Sequence, residues 1–186
     1  MKRRNFITGI SAMAGSSSIA VLSSFSHTPI EDMNKEPEKN MPDIPLITVE
    51  ERTKRVEKAQ RLMAQQKLGA LILDAGTSME YFSGIRWWPS ERPMVVIIPV
   101  KGELFYVCPA FEEDRLRENT TAGAKVYIWQ EDENPYKKMV DALADAGVRS
   151  GDLAIEERVR FFIVDGIKKA SGKFNFKCGD SVSAAC

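Results

Sequence analysis

The residues with the clearest capacity for recognition chemistry are crowded into one stretch, Gly84-Ile85-Arg86-Trp87-Trp88-Pro89-Ser90-Glu91-Arg92-Pro93. A guanidinium presents a planar fork that matches a carboxylate, and indole rings supply wide rigid walls. A glycine stop on one side and an apolar run on the other make this stretch a surface loop, the place where such groups meet ligands. The expectation is that Arg86 and Arg92 bind a carboxylate while Trp87 and Trp88 wall the pocket. The alternative is that the tryptophans pack on the domain's own edge and the arginines pair with Glu91 or Glu80.

Other reactive residue types are sparse. The single histidine is His27, and the cysteines Cys108, Cys178 and Cys186 form no C-x-x-C pair, which argues against a His/Cys zinc or iron site. A Cys108 to Cys178 bridge is open in an oxidising compartment; the competing expectation is buried strand thiols. Asp74 and Glu80 invite a carboxylate-pair reading, but one ends a strand and the other sits in a short helix, so turn and surface roles are favoured. The cluster Glu112, Glu113, Asp114, Arg115 and Arg117 suits a solvated helix face. Glu156, Glu157, Arg158 and Arg160 suit a plain surface or an intersubunit ion-pair set. Gly147-Val-Arg-Ser-Gly151 lacks the Lys-Ser/Thr of a phosphate loop.

These residues must be positioned by alternating helices and strands. Thr48 followed by Glu51 reads as a capping box, and Val56, Ala59, Leu62 and Met63 line one face of a helix ending before Gly69. Ala70 to Leu73 is an apolar strand. Thr77 or Ser78 is expected to cap a short helix closed by Gly84. Pro93 to Val100 and Leu104 to Cys108 read as strands joined at Lys101-Gly102. A charged helix from Phe111 to Glu118, a strand from Lys125 to Trp129 and a helix opened by Pro135 follow. Leu153 to Ile155, Phe161 to Ser171 and Phe174 to Cys178 complete the pattern as strand, helix and strand. The fold class is therefore α/β: a three-layer domain with a mixed, about six-stranded sheet and helices on both faces.

The N-terminus is of a different character. Lys2, Arg3 and Arg4 precede Asn5 and Phe6, and the run to Ser26 is weakly apolar, rich in Gly, Ser and Ala, and free of acidic residues. Arg3, Arg4 and Phe6 have the order of a twin-arginine export signal, with Ser24 and Ser26 suited to cleavage after Ser26. The competing reading is a basic tail with an accidental arginine pair. Glycines and serines dilute the run below a good membrane span, so removal is favoured over a stable anchor. The expected location is periplasmic or secreted. Residues 1–26 are thus assigned to the signal, 27–47 to a proline-rich flexible spacer, and 48–180 to the α/β domain. With the signal gone the chain carries a slight negative excess, which gives a nucleic-acid backbone no basic field to bind.

The segment Arg55 to Asp74, running into Leu-Gly-Ala-Leu-Ile-Leu-Asp and then Gly76-Thr-Ser-Met-Glu-Tyr-Phe-Ser-Gly84, resembles the N-terminal domain of the creatinase and Xaa-Pro peptidase family. The Pro93 to Pro109 hairpin, Phe111-Glu-Glu-Asp-Arg115, the segment around Pro135 and Leu153-Ala-Ile-Glu-Glu157 extend the resemblance over Thr48 to Cys186. It implies a longer protein, whose C-terminal domain binds two divalent metal ions through two Asp, one His and two Glu and cleaves next to proline. No metal ligand and no catalytic residue is carried onto this chain, and residues 181–186 are expected to begin the linker to that catalytic domain. The resemblance further implies a homo-oligomer and a peptide substrate approached by N-terminal-domain loops. The alternatives are a stand-alone exported binding domain and the N-terminal part of a creatinase-like hydrolase of amidines or guanidino compounds.

Overall fold

The computed structural model describes residues 45–186, so the leader assigned to Arg3, Arg4 and Phe6, with most of the spacer, lies outside the described residues. Helix α1 (Val49–Gln65) starts at Thr48, whose hydroxyl accepts the Glu51 backbone N–H at 3.2 Å. The return half of the expected capping box is missing, because the Glu51 carboxylate pairs one turn on with Arg55. Strand β1 (Leu68–Asp74) leads to α2 (Thr77–Ser83), closed by Gly84 in the left-handed conformation. Its N-cap is Gly76 rather than Thr77 or Ser78, since both hydroxyls are spent on distant partners: Thr77 accepts from Arg158, and Ser78 donates to Glu156.

Strands β2 (Val95–Pro99) and β3 (Phe105–Pro109) form the expected antiparallel hairpin. A 3-10 turn at Ala110–Glu112 then delays the charged helix, α3, to Glu113–Asn119. Strand β4 (Lys125–Trp129) precedes α4 (Pro135–Asp145), whose N-cap Asn134 accepts from the Tyr136 and Lys137 N–H groups. Strand β5 (Gly151–Ile155), helix α5 (Phe161–Ala170) and strand β6 (Phe174–Cys178) follow. Residues assigned to a linker fold instead: α6 (Asp180–Ser183) is a single turn that buries Val182 completely. An apolar side chain over the sheet holds this turn to the domain.

The strands lie in the order β4-β3-β2-β1-β5-β6, a mixed six-stranded sheet. Alternation along β1 and β2 divides the core. Leu71, Leu73, Val96 and Ile98 face a layer holding Ala59 and Met63 of α1, Phe82 of α2 and Leu116 of α3. Ala70, Ile72, Val95 and Ile97 face Met139, Leu143, Ile163 and Ile167 of α4 and α5. A sheet buried on both sides accounts for the continuous apolar runs of its central strands.

The two helices on the second face meet at Gly166. A Cβ placed there would lie 2.4 Å from the Tyr136 ring. Alanine is worth about 1 kcal/mol over glycine in a helix interior, yet Gly166→Ala is expected to destabilise, because overpacking costs about 1 to 3 kcal/mol. Denaturant titration of Gly166→Ala and of its double variant with Tyr136→Ala checks this. The substitution should turn stabilising once the ring is gone.

Candidate functional site

Strand directions decide where the loops gather. Strands β1, β5 and β6 are parallel, β2 runs against β1, β3 against β2, and β4 runs with β3. The C-terminal ends of β1, β3, β4, β5 and β6 and the start of β2 therefore share one edge of the sheet. The Gly84 to Pro93 loop, which enters β2, is on that edge. Open α/β sheets place their ligand crevices there.

At the centre of the edge is an ion pair between elements far apart in sequence. Asp74 ends β1 with its side chain 2% exposed, and Arg160 reaches it from the start of α5. Arg160 Nε donates to Asp74 Oδ2 at 2.6 Å and Nη2 donates to Oδ1 at 3.0 Å, a two-pronged contact. The Ala75 N–H donates to the same carboxylate at 2.8 Å. The remaining Arg160 prong, Nη1, donates to the Ser90 carbonyl and so ties the tryptophan loop to the sheet. The expectation of turn and surface roles for Asp74, and of surface or intersubunit roles for Arg160, is thereby corrected: two groups 86 residues apart neutralise each other inside one domain. Glu156 is likewise buried, accepting from Ser78 Oγ at 2.7 Å and from the Arg158 N–H at 3.0 Å.

The clamped loop separates its two tryptophans. Trp87 is 5% exposed and packs into the α1 layer, with the Arg115 guanidinium 4.3 Å from its ring centre. Trp88 is 76% exposed. Only Trp88 is placed to wall a site, and Arg115, expected on a solvated face, covers its neighbour. The arginines also differ. Arg92 grips Glu131 with Nε at 2.7 Å and Nη2 at 3.1 Å, and its guanidinium lies 5.2 Å from the centre of the Phe111 ring. That bond holds the Glu131 carboxyl below its ordinary range. Arg86 stands 76% exposed, with longer contacts of 3.2 to 3.4 Å to Glu80. An incoming carboxylate displaces the second pairing far more readily than the first. Phe111 and Phe161, in the connections after β3 and β5, are exposed on the same edge as Trp88.

A cleft of about 370 Å³ opens beside α2, lined by Thr77, Ser78, Tyr81, Glu156, Glu157, Asp180 and Ser183. Two of its acidic groups are held by internal bonds, Glu156 by Ser78 and the Arg158 N–H and Asp180 by the Glu157 N–H, which its Oδ1 accepts at 3.1 Å. Among the described residues no three His, Cys, Asp or Glu side chains converge as metal ligands, so those residues do not fit a two-metal centre. No helix among them is long and apolar enough to cross a membrane.

The Cys108 to Cys178 bridge is overturned by topology. Strands β2, β1 and β5 separate β3 from β6, which at ~4.8 Å per step puts the two cysteines ~19 Å apart, well beyond disulfide reach. Burial, aided by Glu112 and Glu113, pushes the Cys108 thiol up to about 12, so it stays protonated and inert.

Comparison with known proteins gives a consistent result. The model of the Creatinase/Prolidase N-terminal domain matches residues 55–184. An uncharacterized peptidase of Schizosaccharomyces pombe is 34% identical, over 67% of this chain and 30% of its own. A recombinant prolidase from Thermococcus sibiricus superposes with a TM-score of 0.62 at 22% identity, over 72% of this chain and 36% of its own. The N-terminal domain of the Xaa-Pro dipeptidase from Lactobacillus brevis gives 0.62 at 20% identity, over 68% of this chain and 95% of that domain. The chain thus spans about a third of the length of the peptidase and the prolidase, and nearly all of the isolated N-terminal domain.

Proposed function

Because the chain belongs to the Creatinase/Prolidase N-terminal domain family, we propose that it is the non-catalytic, substrate-gating and subunit-assembling domain of an exported Xaa-Pro metallopeptidase. The catalytic work, and the two divalent metal ions it requires, are assigned to a C-terminal domain of the full-length protein. This domain's share is positional. The exposed face of Trp88 and the loosely engaged fork of Arg86 flank the catalytic mouth of the assembled enzyme, where Arg86 takes a peptide carboxylate and Trp88 walls off water.

The observation that carries this reading is the clamped loop. Arg160 fixes Ser90, Trp87 is buried as a root, and Trp88 is held outward with no covering group among the described residues. An exposed tryptophan on an anchored loop is a preorganised contact. The Arg3-Arg4 pair and the weakly apolar run to Ser26 support export to the periplasm with cleavage after Ser26.

Kinetics of the full-length protein on Xaa-Pro dipeptides test this. Trp88→Ala and Arg86→Ala should each raise KM by about tenfold, near 1.4 kcal/mol of binding, with a smaller change in kcat. Unchanged kinetics would remove the gating role. Hydrolysis of guanidino compounds in place of Xaa-Pro peptides would move the protein to the creatinase-like alternative, and a mature product lacking a catalytic domain would leave a stand-alone binding module.

A further inference from the structure

A second and larger cleft, about 700 Å³, lies on the α1 face of the sheet and shares only Gly84 with the tryptophan loop. Its walls are α1 from Val49 to Gln60, the end of α2, the β2–β3 turn at Gly102 to Leu104, and residues 118–124. Val56 and Leu104 supply half-buried apolar surface over the buried Phe82 and Tyr106, and among the described residues Arg52 is the only cationic one lining it. That volume is of the size that holds small ligands.

Arg52 is singular among these walls. Among the described residues its buried Nε has no hydrogen-bond partner and no carboxylate pairs with its guanidinium. The group is seated against Gly84: a Cβ there would lie 2.6 Å from the Arg52 guanidinium carbon. Glycine at that position therefore serves both the left-handed helix stop and the arginine's seat. A half-buried arginine without an anion is costly, and it lies in the first turns of α1, where the helix dipole disfavours positive charge. A bound carboxylate answers both.

The rim sets the rest of the ligand. Glu57, Glu103 and Glu118 line the same cleft, are exposed, and make no ion pair among the described residues. With one arginine against three glutamates, a phosphate or polycarboxylate is repelled. A ligand that pairs its carboxylate with an ammonium suits both signs.

We propose that this cleft binds a zwitterionic amino acid or short peptide, its carboxylate on Arg52, its ammonium toward the rim glutamates, and an apolar side chain against Val56 and Leu104. The proposal is independent of the gating reading, because it concerns binding to this chain alone at another face.

Titration of the 15N-labelled 186-residue chain with leucyl-leucine, followed by NMR, tests it. Saturable shifts are expected at the Arg52 Nε–H and at the Gly84 and Gly123 amides. Free leucine, titrated in parallel, separates the two sources: tighter binding of the dipeptide assigns a peptide, and tighter binding of leucine assigns the free amino acid. Arg52→Lys, which keeps charge but loses the fork, should weaken binding by about tenfold, and Glu57→Gln, at an exposed position, by a smaller factor. N-acetyl-leucyl-leucine should bind at least several-fold more weakly, and inorganic phosphate should not compete. Absence of saturable shifts, binding unaffected by Arg52→Lys in a folded variant, equal affinity for the acetylated peptide, or competition by phosphate would each overturn the proposal.

Discussion

Asp74→Ala is expected to lower stability by about 3 kcal/mol, because a buried ion pair broken on one side leaves its partner uncompensated. The figure sits at the low end of the usual range because the Arg160 side chain stays 26% exposed and reaches water once its carboxylate is gone. Two further groups lose an acceptor, the N–H of Ala75 and the N–H of Arg160. Arg160→Met should cost at least as much, since it strands a carboxylate whose side chain is only 2% exposed. The double variant Asp74→Ala with Arg160→Met should cost clearly less than the sum of the two singles, the mark of direct coupling. Thermal denaturation reads this as a fall of roughly 10 °C for Asp74→Ala. Additive costs would show that the two residues act separately.

The same variants couple stability to the candidate site. Arg160 also holds the Ser90 carbonyl, so losing the ion pair frees the loop that presents Trp88 and Arg86. If gating operates as proposed, Arg160→Met in the full-length enzyme should raise KM even at temperatures where the protein stays folded.

Local signals carried most of the architecture. Strands β4 and β6 fall on the residues expected from their apolar and β-branched runs, Pro135 opens its helix, and Gly84 closes the short one. Each of these is decided by neighbours within one turn of chain. What escaped were choices made by distant partners. Thr77 and Ser78 are good capping residues by type, but Arg158 and Glu156 claim their hydroxyls once β1 and β5 align. Asp74 and Arg160 look like surface charges until the parallel pairing of β1 with β5 brings their strand ends together. The only local clue was position, a lone acid closing an apolar strand. Within the tryptophan pair, adjacent residues of one type point to opposite environments, and nothing in their local sequence says which is inward. The Arg52 cleft was invisible for the same reason, since its walls come from four separate segments.

That division within the pair gives the second large effect. Trp87→Ala should cost about 3 to 5 kcal/mol, as for other buried aromatic truncations, because its ring lies between the core and the Arg115 guanidinium. Trp88→Ala should change stability by no more than about 0.5 kcal/mol, as expected for an exposed position, because its side chain covers little of the domain. Denaturant midpoints of the two single variants measure the contrast, and Arg115→Ala adds a check: it should remove part of the Trp87 contribution and leave that of Trp88 untouched. Equal costs for the two tryptophans would mean that Trp88 is packed against the domain, and the outward surface on which gating depends would disappear with it. A large cost at Trp87 with none at Trp88 would fix the functions of the pair, the first anchoring the loop and the second left for a partner or substrate.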